Sequence, residues 1–149
     1  MEKDFWAAHG LRRTNCRAAV VHCLEAKNEA LSERALREEI GGSFNRTTFY
    51  RTMRSLEEHK VIHRISAAQE GLKWALSTPL GLPPAHAHFV CSVCDGVWCL
   101  TQLRAPVYAH RKGFTTEYVE SIVHGVCAEC NRRARAQQQR LQSAWQEER

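Results

Sequence analysis

The stretch HAHFVCSVCDGVWC, residues 86–99, concentrates two histidines and three cysteines, and Cys127 and Cys130 follow downstream. Cys91 and Cys94 form one C-x-x-C pair, and Cys127 and Cys130 form another. Each pair can bend around a single ion, and four thiolates suit tetrahedral zinc. The sequence therefore predicts a structural four-cysteine zinc site that stabilises a small domain whose own hydrophobic core is too small to keep it folded. Two unrelated pairs of buried thiols are the plainer alternative.

Other uses of such cysteine pairs conflict with the neighbouring residues. Attachment of a c-type haem needs C-x-x-C-H, but Asp95 follows Cys94. A thioredoxin-like pair needs a βαβ setting, which the predicted elements do not provide. A zinc deaminase needs H-x-E ahead of P-C-x-x-C, whereas this chain has H-A-H and F-V-C-S-V-C. An enzyme is therefore the weaker alternative, because Asp95 is the only carboxylate within residues 85–100 and it adjoins a structural ligand.

Three potential ligands, His86, His88 and Cys99, remain without a partner set. An extended H-x-H places both imidazoles on one face of a strand. We expect His63, from the first strand of a predicted hairpin, to complete a second zinc site that bridges the two halves of the chain. A strand histidine at the surface or in the core, and Cys99 as a small buried hydrophobe, are the ordinary alternatives. One thiolate with three imidazoles favours zinc over ferrous iron but leaves other metals open.

The composition is that of a globular protein with a basic surface. The chain has 149 residues and 17.0 kDa, with 44% hydrophobic and 25% charged residues. Its net charge of +5 and isoelectric point near 9.0 favour a polyanionic partner. No apolar leader segment or membrane span is apparent, so we expect a cytoplasmic protein without a membrane partner. In a reducing compartment the clustered cysteines are better explained by metal than by disulfides.

Three helices and a hairpin are predicted ahead of the cysteines. The first helix covers residues 15–26 behind Thr14 or Asn15, the second covers 32–40, and the third follows Asn45 as its N-cap. The runs VIHRIS and LKWALS then predict a two-stranded ribbon. Together these elements indicate a winged helix-turn-helix.

The third helix has two contrasting faces. Phe49, Met53 and Leu56 recur at helical spacing on an apolar face. The opposite face is basic and aromatic and consists of Thr47, Tyr50, Arg51 and Arg54. A basic helix that is merely solvated is the alternative to a binding face.

The rest of the chain predicts a hinge and a second small domain. The stretch TPLGLPPA, residues 78–85, holds three of the four prolines. Beyond it we expect a cysteine-bearing hairpin, a brief helix from Pro106 to near Gly113, and a strand within TTEYVESIVHGVC. The expected order is a DNA-binding domain at 1–77, a hinge at 78–85, a metal-binding domain at 86–131, and a polar tail at 132–149. The tail is predicted to be a solvated or frayed helix.

The chain resembles the ferric uptake regulator family of bacterial metal-responsive repressors, and most of all its zinc-uptake branch. The resemblance runs from about Leu11 to Cys130 and rests on LRRTNCR, RTTFYRTMRSLEEHKVIHRI, HAHFVCSVC and HGVCAEC. It implies an α+β protein with an N-terminal winged helix-turn-helix domain followed by a small α/β dimerisation domain with a four-cysteine zinc site. Cys99 falls where the family usually has Glu, and a further ligand that the family places near Ala75 or Ser77 stays unassigned.

The resemblance also implies what the residues do. Tyr50 and Arg51 match the family's Tyr-Arg pair on the recognition helix, and Arg17 matches an arginine in the first helix of the family's DNA-binding domain. We expect the third helix to enter a major groove while Arg12, Arg13 and Arg17 contact phosphates. The predicted function is a homodimeric repressor of metal-uptake genes that binds a double-stranded DNA operator in response to zinc and takes no small molecule besides the metal ion. The alternatives are a family repressor that senses iron, nickel, manganese, or redox state through Cys99.

Overall fold

The computed structural model describes residues 2–69, 71–77, 86–104, 111–116 and 119–147. They form an N-terminal lobe, within residues 2–77, and a C-terminal lobe, within 86–147. The predicted hinge at 78–85 and the start of the brief helix expected from Pro106 lie outside the described residues.

The described part of the N-terminal lobe contains four helices and three strands. They are α1 (Glu2–Ala8), α2 (Asn15–Lys27), β1 (Leu31–Ser32), α3 (Glu33–Glu39), α4 (Arg46–Glu58), β2 (Ile62–Ala68) and β3 (Gly71–Leu76). The side chains of Thr14, Ser32 and Asn45 accept backbone N–H bonds and cap the starts of α2, α3 and α4. The order of three helices followed by a hairpin confirms the predicted elements from residue 15 onward.

Two elements of this lobe were not predicted. Helix α1 spans only seven residues, too short for a clear period, yet it buries Trp6 to 4% exposure in the lobe's core. Strand β1 has two residues and pairs with β3 through Leu31 and Ser32, so the sheet has three strands in the order β1-β3-β2 rather than two. The predicted two-stranded ribbon is therefore present as β2 and β3, and β1 adds a third strand that was not predicted because two residues carry no periodic signal.

The apolar face of α4 faces the core as predicted. Phe49, Met53 and Leu56 are at most 4% exposed and pack with Val20 of α2 and Leu36 of α3. This burial fixes the rotation of α4 about its axis. The opposite face of the helix is therefore turned to solvent.

Within its described residues, the C-terminal lobe is a three-stranded sheet followed by a long helix. Its elements are β4 (His86–Cys91), β5 (Val97–Arg104), β6 (Ser121–Gly125) and α5 (Ala128–Glu147). The order is β5-β4-β6, with β5 antiparallel and β6 parallel to β4. Helix α5 is solvent-exposed throughout residues 131–146 and runs continuously across residue 131, and the domain boundary at 131 stays a prediction.

The two lobes pack sheet against sheet. Trp74 and Leu76 of β3 face the helices of the N-terminal lobe, whereas Ala75 faces the C-terminal lobe and shares an apolar cluster with Val90 and Val97. The backbone N–H of Ala30 donates to the carbonyl oxygen of Val97 at 2.8 Å. Both faces of the β2–β3 hairpin are therefore covered, and alternate residues of β2 and β3 lie between the lobes.

Two candidate metal centres and a basic helix face

The four cysteines of the two C-x-x-C pairs converge at one end of the C-terminal sheet. Their sulfur atoms all lie within 4.8 Å of one another, and Cys94 Sγ and Cys127 Sγ are 3.9 Å apart. Zinc to sulfur bonds of about 2.3 Å in a tetrahedron require sulfur separations of roughly 3.8 Å. The cluster thus has the donor atoms and nearly the spacing that one zinc ion requires. All seven cysteines of the chain are free thiols.

The strands and the start of α5 bring these cysteines together. Cys91 ends β4, and a tight turn that is closed by the Cys91 N–H bond to the Gly96 carbonyl carries Cys94. Strand β6 runs beside β4 and delivers Cys127, and Cys130 lies in the first turn of α5. The parallel pairing of β4 with β6 therefore brings together two cysteine pairs that are far apart in the chain.

Hydrogen bonds within the cluster give the Cys91 and Cys130 thiols different pKa values. Backbone N–H groups of Cys94 and Cys127 lower the pKa of the Cys91 thiol to about 6. The hydrogen bond with the Cys127 side chain raises the pKa of Cys130 to about 12. At neutral pH the cluster therefore already holds a thiolate at Cys91, while Cys130 gives up its proton only to a strong competitor such as a metal ion.

A second cluster combines residues of both lobes, as the sequence predicted. The donor atoms of His63, His86, His88 and Cys99 all lie within 4.8 Å of one another. The Nε2 atoms of His63 and His88 are 3.2 Å apart, and Cys99 Sγ lies 3.4 Å from His63 Nε2. A tetrahedral zinc ion with three nitrogen ligands and one sulfur ligand requires separations of roughly 3.3 to 3.8 Å. We call this group the mixed cluster.

Strand register assembles the mixed cluster. His88 is directly opposite Cys99 in the β4–β5 ladder, and His86 is two residues before His88, on the same face of β4. His63 lies on the face of β2 that is covered by the C-terminal lobe, next to Ala75 of β3. Three donors thus belong to one sheet and the fourth reaches them from the other lobe.

Burial keeps the imidazoles of His63 and His88 neutral. His88 is only 5% exposed, and within the described part of the chain its Nδ1 is buried without a hydrogen-bond partner. Burial, reinforced by the neighbouring histidines, lowers the pKa of His63 and of His88 to about 4. Burial raises the pKa of the Cys99 thiol to about 11. Neutral imidazoles with free lone pairs are the form that binds metal.

Sequence reasoning missed one neighbour of this cluster. Ser77 Oγ lies 3.4 Å from His63 Nδ1, the ring nitrogen that does not face His88. A hydrogen bond to the second nitrogen of a ligand histidine fixes its orientation and tautomer. The family resemblance points to Ser77 only as the occupant of a ligand position, whereas the structure places its hydroxyl behind His63.

The predicted recognition face lies on the exposed side of α4. Thr47, Tyr50 and Arg51 are exposed, and Tyr50 has a relative exposure of 40%. Arg54 is also exposed and pairs with Glu58 at 2.8 Å. The structure adds Arg46, whose guanidinium lies 5.5 Å from the centroid of the Tyr50 ring. Its spacing of four residues from Tyr50 was a signal available in the sequence.

The three arginines before and within α2 differ in their surroundings. Arg12 and Arg13 are exposed in the segment that leads into α2. Arg17 is half-buried and donates to the carbonyl oxygen of Arg12 at 2.7 Å and to Ser55 Oγ of α4 at 2.8 Å. Its guanidinium therefore braces α2 and the preceding segment against α4, and its contact with phosphate stays a prediction.

Sequence comparison assigns the chain to a family. The family model described as the ferric uptake regulator family matches residues 8–104, more than half of the chain. The chain belongs to the ferric uptake regulator family. No curated protein shows significant sequence similarity to this family member.

Solved structures of other regulators share the fold of this family member. A zinc uptake regulator complexed with zinc and DNA is 20% identical with a TM-score of 0.67, over 88% of this chain and 91% of that chain. The Vibrio cholerae ferric uptake regulator is 16% identical with a TM-score of 0.55, over 85% and 100% of the two chains. A zinc-bound manganese uptake regulator is 15% identical with a TM-score of 0.55, over 83% and 98%. The family's metal-responsive DNA-binding fold is thus shared by regulators named for different metals.

Among the described helices, none has both the length and the apolar character that a membrane crossing requires.

Proposed function

We propose that this chain is a zinc-responsive repressor that binds double-stranded operator DNA as a homodimer. The observation that carries the proposal is the convergence of His63 from the N-terminal lobe with His86, His88 and Cys99 from the C-terminal lobe. An ion held by these donors belongs to both lobes at once. Its binding therefore depends on how the lobes are placed relative to each other.

The mixed cluster fits zinc in number, type and spacing of donors. Three imidazoles and one thiolate make a four-coordinate set, and a closed set without an open position is typical of non-catalytic zinc. Iron(II) prefers more oxygen ligands, and no carboxylate belongs to this donor group. The burial that raises the pKa of Cys99 to about 11 also disfavours redox sensing, since a protonated thiol reacts slowly with oxidants.

The residues of the mixed cluster supply the switch. Zinc held there contributes bonds to both lobes and so stabilises the arrangement in which His63 lies against His88. A ligand shifts a conformational equilibrium only by its difference in affinity for the two states. Because His63 completes the set only when the lobes are packed, zinc favours that packed state, which we assign as the DNA-competent one.

We assign roles to the four cysteines, the α4 face and the arginines near α2 as well. Cys91, Cys94, Cys127 and Cys130 hold a structural zinc that keeps the C-terminal lobe folded. The α4 face, with Arg46 added to the predicted residues, enters the major groove, and Arg12 and Arg13 contact phosphates. Arg17 keeps α4 in place relative to them.

Zinc titration at several pH values tests the mixed cluster. The Cys99 thiol, with a pKa of about 11, is protonated between pH 6 and 8, so zinc binding must release its proton and zinc affinity must rise with pH. His63 and His88, with pKa values of about 4, are already neutral in this range and add no such dependence. We expect two zinc ions per chain in the wild type. For each pH unit of acidification, the wild type should lose about tenfold more zinc affinity than Cys99→Ala does.

The measurement is a competition titration with a zinc chelator at pH 6, 7 and 8, on protein whose four-cysteine site is already loaded. Cys23→Ala, which removes a thiol of α2 that belongs to neither cluster, is the matched control and should behave as the wild type. A wild type that binds one zinc, or a Cys99→Ala variant with the wild-type affinity and pH slope, contradicts the proposed function.

A further inference from the structure

A buried ion pair joins the β2–β3 hairpin to the turn between the first two cysteines. Lys73 Nζ of β3 lies 3.4 Å from Asp95 Oδ2, and the two side chains are only 8% and 15% exposed. The same ammonium group donates to the backbone carbonyl oxygen of Asp95. At the end of the hairpin, the backbone N–H of Gln69 donates to Asp95 Oδ1 at 3.0 Å. The hairpin therefore holds Asp95 by both its carboxylate and its carbonyl.

The four-cysteine site determines where Asp95 lies. Asp95 directly follows Cys94 and has a positive φ of 58°, which the tight turn imposes. Its N–H donates to the carbonyl oxygen of Cys91 at 3.0 Å. Because Asp95 lies inside the loop that carries two of the four thiols, the loop geometry that suits the metal also fixes the partner of Lys73.

Lys73, the hairpin residue of this ion pair, is connected to the mixed cluster through the β2–β3 ladder. Lys73 is opposite Ile65 in the β2–β3 ladder, and His63 is the next residue of β2 on the same face. A buried ammonium that loses its carboxylate leaves an uncompensated charge, so the hairpin is bound to the position that satisfies Lys73. That position is the one in which His63 meets His88 and Cys99.

We propose that Lys73 is a positioning residue that couples the four-cysteine centre to the mixed cluster. The four-cysteine loop fixes Asp95, Asp95 fixes Lys73, and β2 thereby presents His63 to the donors of the other lobe. The four-cysteine centre then holds the N-terminal lobe in position and also stabilises the C-terminal lobe that contains it. This inference rests on the proposed function only where it concerns zinc binding at the mixed cluster.

The test compares Lys73→Met with Lys112→Met in full-length protein that carries only the four-cysteine zinc. Lys112 is an exposed lysine of the C-terminal lobe, so its replacement removes the same charge at the surface. In Lys73→Met we expect amide hydrogen exchange of a peptide covering residues 62–76 to be at least tenfold faster, and zinc affinity at the mixed cluster to be at least tenfold weaker. Lys112→Met should change neither by more than twofold.

Two further measurements separate positioning from general damage. Cobalt substituted into the four-cysteine site should give the same thiolate charge-transfer absorption in both variants, because Lys73 is not a ligand. Lys73→Arg, which keeps the charge, should restore exchange and zinc affinity to within about threefold of the wild type. Exchange of residues 62–76 in Lys73→Met within twofold of Lys112→Met overturns the inference. This holds even if the wild type binds a single zinc and the proposed function fails, because the exchange readout does not involve the mixed cluster's metal.

Discussion

Cys127→Ser should unfold the C-terminal lobe while leaving the N-terminal lobe folded. Cys127 is a member of the four-cysteine cluster, and its Sγ lies 3.9 Å from Cys94 Sγ. It follows β6, the strand that pairs with β4. Structural zinc contributes about 10 kcal/mol or more of apparent folding free energy at neutral pH. A lobe this small has little apolar burial with which to replace it. The N-terminal lobe has its own core around Phe49 and Leu36 and should persist.

Hydrogen exchange resolved by peptide is the measurement. Peptides from residues 86–104 and 119–130 should lose protection in Cys127→Ser, whereas those from α2 and α4 should keep most of theirs. Cys23→Ser, the same chemical change on α2, should retain protection in both lobes and its full zinc content. A Cys127→Ser protein that has lost the metal and still protects the C-terminal sheet would show that the cluster does not stabilise this lobe.

Arg51→Ala should reduce specific DNA affinity by about 100-fold without altering the fold. The Arg51 side chain is exposed on α4, so its loss removes no buried packing. A bidentate arginine contact to guanine is worth about 1 to 3 kcal/mol, and the proposed homodimer would lose two copies. Zinc-loaded protein should be titrated against duplexes selected from a random pool by the wild type, at one fixed salt concentration.

Arg140→Ala is the matched control for this variant. Arg140 is exposed on α5, at a distance in sequence from the recognition face, and its removal lowers the net charge equally. We expect an affinity within about threefold of the wild type. Equal losses in Arg51→Ala and Arg140→Ala would mean that general charge, rather than the α4 face, governs DNA binding.

Local sequence signals were sufficient for the four-cysteine centre and for α4. The C-x-x-C spacing defines a turn by itself, and the positions of Phe49, Met53 and Leu56 define the buried face of the helix. The caps at Thr14 and Asn45 are likewise local. These features depend on residues a few positions apart, where the chain geometry is nearly fixed.

Interactions between the lobes were harder to predict. The alternation in LKWAL favours Leu72, Trp74 and Leu76 as the buried face, yet Lys73 and Ala75 are the most buried residues of β3. The reason is that the hairpin is covered on both sides, a condition that the pattern of one strand does not reveal. The partner of Lys73 is 22 residues away in the chain, so their ion pair could not be inferred from spacing.

The mixed cluster was predicted because its ligand types are unusual, not because its geometry was visible. Two histidines and a cysteine without another role, together with a histidine in the preceding hairpin, left few alternatives. What the sequence lacked was the role of Ser77 behind His63 and the internal bonds of Arg17. Both depend on contacts that exist only after the lobes and helices have packed.

The dependence of DNA affinity on zinc at the mixed cluster tests the central claim most directly. Protein carrying only the four-cysteine zinc is titrated with selected duplex DNA before and after saturation with zinc, for the wild type and Cys99→Ala. Coupling between two sites is typically worth about 5- to 150-fold in affinity. We expect zinc to tighten wild-type binding by at least tenfold and to leave Cys99→Ala unchanged. An equal response in both proteins, or none in the wild type, would contradict the account.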